Sequence, residues 1–434
     1  MLVAFGPPAG VRRTQAGPPN ETVVQRLLRY VTFDTQSKED VDSIPSTRKQ
    51  FELANLLVTE LRELGLADAR VDAHCYVYAT LPTNLPPSKA KNVPMIGLIS
   101  HMDTSPAVSG ANVNAVVHKN YQGGDIRLTG DTTQVLTVKQ NPQLAENIGG
   151  DIITTDGTTL LGADDKAGIA EIMTALQTLI HNPRLQHGTI KVAFTPDEEV
   201  GAGADKFDVK GYGAEYAYTI DGGTTGEISN ETWNANTATV TVQGKSTHPG
   251  TAKGLMVNSL YAMADFISRF PDGMKPETTE KREGFLHPYD GRLETEQSRI
   301  KVLLRDFDVG GLEKQEQILY RMRDETLKKF PGVKIDVKID ENYRNMRLIL
   351  EKYPQVTEYA MEAARRAGVT PFLKPIRGGT DGSVLTYKGL PTPNVFTGGE
   401  NYHGKLEWAS VRGMEKAVDT ILNLVQIWVE KSIR

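Results

Sequence analysis

Apolar residues recur at helical spacing in "ETVVQRLLRYVTF", residues 21–33, and Asn20 stands where an N-cap belongs. A second helix is predicted after Pro45-Ser46. Phe51, Leu53, Leu56, Leu57, Leu61 and Leu64 make its apolar face, and Gly65 ends it. Strand and helix patterns then alternate. "HCYVYATL" and "PMIGLIS" read as strands, "KAGIAEIMTALQTLI" as a helix, and "TIKVAFT" and "EYAYTI" as further strands. That alternation predicts an α/β layer around a largely parallel sheet.

The order changes after Gly222-Gly223. "NTATVTVQG" alternates with period two, "GLMVNSLYAMADFISRF" is helical, and "QSRIKVLLRDFD" is a strand. "GLEKQEQILYRMRDETLKKF" is again helical and "VKIDVKIDENY" a strand. The block has the flavour of a ferredoxin-like β-α-β-β-α-β unit. From about residue 347 the α/β pattern resumes with "VTEYAMEAARRAG", the turn "RGGTDG" and the strand "TPNVFTGG". The expected architecture is an α/β domain, residues 21–223 and 346–434, interrupted by a smaller α+β domain, residues 224–345.

Residues 1–20 contain no Asp or Glu and four prolines. "MLVAF" is too short for a signal-peptide core and lacks a basic flank, and no apolar segment follows Arg12-Arg13. The segment is expected to be a disordered tail or a remnant of expression.

Composition narrows the classes. A chain of 434 residues is too long for one compact core, so two domains are the default. The net charge of −5 supplies no bulk attraction for nucleic acid or an anionic membrane. No apolar run approaches the roughly 20 residues that span a bilayer, and "ILNLVQIWV" reads as part of an amphipathic terminal helix. Cys75 is the single cysteine, which rules out an intrachain disulfide and a thiolate metal cage and suits a reducing, cytoplasmic compartment.

Candidate chemistry collects just past predicted strand ends, where open α/β sheets bind ligands. "PMIGLIS" leads into His101 and Asp103, "TIKVAFT" into Asp197, Glu198 and Glu199, and "EYAYTI" into Asp221. "TPNVFTGG" leads to His403, and "GADDKAG" opens a helix with Asp164 and Asp165. Each alone has an ordinary reading: a satisfied histidine, a helix-start aspartate, a turn, a solvated charge run. Three adjacent carboxylates at residues 197–199 are tolerable in a solvated loop or beside a cation. Two imidazoles with several carboxylates and no thiolate make a donor set for zinc, and one bridging carboxylate would allow a pair of ions. The spacing of His101 and Asp103 lets the aspartate act as an acceptor behind the imidazole.

"SHMDTSP", "TDGTTLLGADDKAGIAEIMTAL", "VAFTPDEEVGAGA", "TIDGG", "HPGTAKGLMVN", "PIRGGTDG" and "FTGGENYHGKLEW" occur in order from about residue 21 to the C-terminus. Together they resemble the co-catalytic zinc metallopeptidases that include carboxypeptidase G and succinyl-diaminopimelate desuccinylase, and among them the tripeptide aminopeptidases. The resemblance implies a zinc-peptidase-like α/β catalytic domain with an inserted ferredoxin-like lid, and two zinc ions per subunit. Asp164 would bridge the ions, with His101 and Asp221 completing one site and Glu199 and His403 the other. Asp103 would orient His101, Glu198 would be the general base, and Asp197 a solvated or hydrogen-bonded bystander. In the lid, His248 would stabilise the oxyanion, while Asn258, Arg305 and Arg377 match substrate-contact positions. His74, His118, His181, His187 and His287 fall outside these motifs. The implied reaction is release of the N-terminal residue from a tripeptide. A dipeptidase or N-acyl-amino-acid hydrolase on the same scaffold is the alternative, and a homodimer through the lid is left open.

Overall fold

The structure is a computed structural model that describes residues 2–4 and 20–433. It separates into two compact units. The larger runs to Asn230 and resumes with Met346–Lys374 and from Thr380 onward; the smaller comprises Glu231–Asn345 and Pro375–Gly379.

At the centre of the larger unit lies an eight-stranded sheet. Ile96–His101 pairs in parallel with Ile190–Thr195 on one side and Tyr216–Gly222 on the other. Tyr216–Gly222 in turn pairs in parallel with Asn394–Phe396. Four strands therefore end at one edge of the sheet, and their register aligns His101 with Thr195. These strands are buried on both faces, which is why they read as unbroken apolar runs. Leu98, Val192, Phe194, Tyr218 and Ile220 pack with the helices Val23–Tyr30, Ala163–His181, Pro354–Arg366 and Val411–Ser432. Ile99, Ala193 and Ala217 face the opposite way, onto Tyr76, Tyr78, Phe207 and Tyr212. Gly97 is required by that second layer: a Cβ there would stand 2.7 Å from Tyr212 Oη.

Two local signals differ from expectation. Thr22, not Asn20, caps the first helix, in a capping box with Gln25, because its hydroxyl accepts the Gln25 N–H while the Gln25 carboxamide accepts the Thr22 N–H. A second, five-stranded sheet also forms, built of very short strands that carry no clear period-two pattern: Leu2–Ala4, Ala115–His118, Ile152–Thr155, Trp408–Ser410 and Gly399–Glu400. Leu2–Ala4 comes from the segment read as a tail and lies antiparallel to Ala115–His118; residues 5–19 of that segment lie outside the described residues.

The smaller unit has strand and helix order β-α-β-β-α-β. Its antiparallel sheet runs Phe285–Leu293, Gln297–Asp306, Asn234–Gln243, Lys334–Tyr343. One face carries Val240, Val242, Val302 and Leu304 against Met263, Phe266, Leu312 and Leu319 of the helices Ser259–Ile267 and Val309–Lys329. The ferredoxin-like expectation holds. The unit starts at Glu231 rather than at residue 224, because Glu227–Ser229 adds a strand to the larger sheet beside Asn394–Phe396.

Candidate metal centre

His101 is the last residue of its strand, and Asp221 sits near the end of the neighbouring one. His101 Nε2 is 3.0 Å from Asp164 Oδ1 and 3.6 Å from Asp221 Oδ1. His403 Nε2 is 3.1 Å from the other oxygen of Asp164 and 2.8 Å from Glu199 Oε2. Asp164 thus turns one carboxylate oxygen to each imidazole. Two groups of candidate ligand atoms result, His101–Asp164–Asp221 and Asp164–Glu199–His403, each with its atoms within 4.8 Å of one another. His101 is 2 % exposed and His403 48 %, so one end of the centre is sealed and the other open.

The electrostatics fit a bound cation. Burial, followed by the Asp164 charge, lifts Glu199 to about 7. Burial also raises Asp221, and pushes Glu198 well above its ordinary value, with Asp221, Asp381 and Glu199 adding to the rise. Burial opposes protonation of His101, but Asp103, Asp164 and Asp221 outweigh it. Asp164 and Glu199 lift His403 to about 11. Burial works against ionisation of Asp164, yet the two imidazoles hold its carboxyl far below the usual range. Glu199 Oε1 is buried without a hydrogen-bond partner, a costly condition unless a cation takes that lone pair. Oxygen and imidazole donors without thiolate suit zinc and other first-row divalent ions.

Hydrogen bonds behind these groups set their positions. His101 Nδ1 lies 3.1 Å from the Asp103 carbonyl and 3.4 Å from its carboxylate. That carboxylate also accepts the backbone N–H groups of Glu198, at 3.0 Å, and Glu199, at 3.2 Å. One aspartate therefore orients both His101 and the Glu198-Glu199 turn. Asp197, at φ +57°, is fully buried rather than solvated. It accepts the Ser46 N–H, the Ser46 hydroxyl and the Gln50 carboxamide at 2.6–2.7 Å.

The remaining candidates lie in the smaller unit. His248 is exposed and accepts the Gly250 N–H at Nδ1, 3.1 Å away. Asn258 caps the helix Ser259–Ile267, its Oδ1 accepting the Leu260 N–H at 2.9 Å. Arg305 donates to the carbonyls of Asn236 and Leu304, both at 2.9 Å. Arg377 lies over the Trp233 ring and donates to the Lys281 carbonyl at 2.7 Å.

Three further buried acids surround the centre. Asp165 accepts from the Ser100 hydroxyl and the His101 N–H. Asp381 accepts from the Thr195 hydroxyl at 2.7 Å. Glu407 accepts backbone N–H groups of the Asp164 loop. Asp165 had a signal in its pairing with Asp164; Asp381 and Glu407 bond partners distant in sequence and had none beyond an isolated carboxylate among uncharged residues.

Residues 156–427 match the model of peptidase family M20/M25/M40. A protein named peptidase T from Desulfitobacterium hafniense (strain Y51) is 48 % identical over 410 residues, covering 94 % of this chain and 99 % of that one. One of the same name from Listeria monocytogenes serotype 4a is 46 % identical over 411 residues, covering 95 % and 99 %. Among solved structures, the aminopeptidase PepT of Bacillus cereus superposes with TM-score 0.71 at 24 % identity, covering 95 % of this chain and 99 % of that one. A dinuclear metal-binding peptidase of the M20 family from Bacillus subtilis superposes with TM-score 0.62 at 14 % identity, covering 94 % and 98 %. At these identities the two structures establish a shared fold.

Proposed function

The chain belongs to peptidase family M20/M25/M40, and from that premise we propose that its two ligand groups hold a pair of zinc ions in a tripeptide aminopeptidase. The carrying observation is the position of Asp164, with one oxygen facing each histidine. The enzyme is a metallo-aminopeptidase that releases the N-terminal residue of a short peptide. Relatives named peptidase T, matched over 99 % of their own length, favour it over a dipeptidase or N-acyl-amino-acid hydrolase.

In this reading His101, Asp164 and Asp221 hold one zinc ion, and Asp164, Glu199 and His403 the other. The ions supply Lewis-acid polarisation of the scissile carbonyl and acidify water towards neutrality. Glu198 takes the proton of the attacking water on its carboxylate and returns it to the leaving amine. The hydrogen bond from the Glu198 N–H to Asp103 fixes where that carboxylate starts. His248 is assigned to the oxyanion, and Asn258, Arg305 and Arg377 to the substrate, with the arginine forks suited to a peptide carboxylate. Among the described residues no helix is long and apolar enough to cross a membrane. A cytoplasmic location and a homodimer through the smaller unit complete the proposal.

The test is a mass-spectrometric assay of one free tripeptide, its N-acetyl form and the matching dipeptide, using chelator-treated protein before and after zinc addition. Zinc-dependent release of the first residue from the free tripeptide alone supports the assignment. Turnover of the acetylated form or of the dipeptide transfers the protein to the alternative. Turnover that survives chelation removes the metal reading.

A further inference from the structure

Asp164 sits where the chain enters the helix Ala163–His181 but is not itself helical, with φ −82° and ψ 103°, and Asp165 follows at φ −120° and ψ 34°. Gly162 precedes this segment at φ +78° and has no side chain to accept its free N–H groups. A Cβ at that position would stand 3.2 Å from Thr104 Cγ2, so the site is also crowded. Helix starts normally satisfy those donors with a local Ser, Thr, Asp or Asn.

Here the acceptor arrives from more than 240 residues away in sequence. Glu407 Oε2 accepts the N–H groups of Leu161 at 2.8 Å and Gly162 at 2.9 Å, and Oε1 accepts that of Asp164 at 3.1 Å. The side chain is 1 % exposed. Both oxygens are taken up by backbone donors, so Glu407 is not itself oriented as a metal ligand.

What makes this arrangement more than a cap is the loop on which Glu407 sits. The hairpin of Gly399–Glu400 and Trp408–Ser410 encloses residues 401–407, and His403 lies in that loop at φ +63°. The loop closes on itself through the Glu407 N–H to the Gly404 carbonyl at 3.2 Å. His403 therefore reaches Asp164 directly, at 3.1 Å, while four residues further on Glu407 grips the backbone that carries Asp164. The other ligand group shares Asp164 but differs in its two remaining members. His101 and Asp221 both belong to strands of the central sheet, whose pairing does not involve Glu407.

We propose that Glu407 is a positioning residue that sets His403 against Asp164, so that retention of the second metal, at Asp164–Glu199–His403, depends on it more than retention of the first, which shares Asp164 but takes His101 and Asp221 from the central sheet. The inference rests on the two-metal reading above. The informative substitution is Glu407→Gln. A carboxamide can keep its oxygen on the Leu161 and Gly162 donors, but its NH₂ then faces the Asp164 N–H, donor against donor. The bond lost is the one that ties the loop carrying His403 to the backbone of Asp164.

The experiment measures zinc per chain in wild type and E407Q by elemental analysis after dialysis against graded chelator, with cobalt(II) absorption spectra of the same proteins. The expected result is two ions in wild type and, in E407Q, a second ion held on the order of 10-fold to 100-fold less tightly, the range for groups that orient ligands, with the first weakened less. The singly loaded cobalt spectrum of E407Q should match that of His403→Ala. Glu407→Asp, which keeps the charge one methylene further back, should lie between, and it carries the test if E407Q fails to fold. A merely structural role would lower thermal stability while the two ions were lost in parallel. Parallel loss, or two ions retained at wild-type affinity, overturns the proposal. A wild type that holds fewer than two ions overturns the two-metal reading and this inference with it.

Discussion

Replacing Asp197 tests whether the acidic turn is held from behind by its first carboxylate. The side chain accepts three hydrogen bonds, two from Ser46 and one from Gln50. At about 1.5–3 kcal/mol for each bond to a charged acceptor, the gross loss in Asp197→Ala would be roughly 5–9 kcal/mol. Two effects reduce that. Burial raises the Asp197 pKa, so the ionised side chain already opposes folding, and Ser46 is only partly buried, so water reaches the vacated N–H. One effect adds to it: φ is +57°, a region Asp and Asn tolerate but Ala occupies at a cost of about 1 kcal/mol. The net expectation for Ala is about 3 kcal/mol. Asn keeps the backbone preference and, with its oxygen at the Oδ1 position, the bonds from the Ser46 hydroxyl and Gln50; only the Ser46 N–H loses its acceptor. It should cost about 1 kcal/mol, near the net worth of one such bond. Urea unfolding followed by circular dichroism, with equal slopes in all three proteins, gives both values from the midpoints. Ala and Asn equal within about 0.5 kcal/mol, or neither differing from wild type, would refute the account, since water would then be satisfying the turn.

Cys75 is buried, and burial followed by Asp197, Asp72 and Asp103 pushes its thiol far up, so the native protein should show no thiol reactive to a disulfide reagent at pH 8 and one per chain after unfolding. Gly168→Ala would place a Cβ 1.8 Å from the Ile220 carbonyl oxygen and 2.6 Å from Asp165 Oδ1, so a loss of at least about 3 kcal/mol is expected by urea unfolding. Burial works against the Asp265 carboxylate, but Lys329, Arg269 and Thr326 outweigh it and lower its pKa below the ordinary 3.8. Its contribution is present above that value and disappears as the pH falls through the lower folded value, so Asp265→Asn should unfold earlier at pH 7, with the gap to wild type closing progressively as the pH is taken below 3.8 in thermal melts.

The legible parts of this molecule are those where chemistry follows the local pattern of the chain. His101 and Asp221 stand at the ends of apolar runs because their strands are covered on both faces and ligands gather at one sheet edge, so the first polar residue past each run falls there. Thr22 is equally legible: a Thr and a Gln three residues apart mark the capping box, two positions after Asn20. The other ligand group had no such local rule. His403 and Asp164 are 239 residues apart, and nothing in the spacing of either loop says they meet; the family resemblance paired them. Asp197 and Glu407 show the deeper reason. Their partners include backbone N–H groups, at Ser46 for one and at Leu161, Gly162 and Asp164 for the other. Every non-proline residue offers the same N–H, so an acceptor waiting for one leaves no mark on the residue that will supply it. A buried acid with backbone partners is therefore read as solvated or as a bystander until the fold is known. At this centre such acids hold the loops that carry the candidate ligands, while the candidates themselves carry the recognisable pattern.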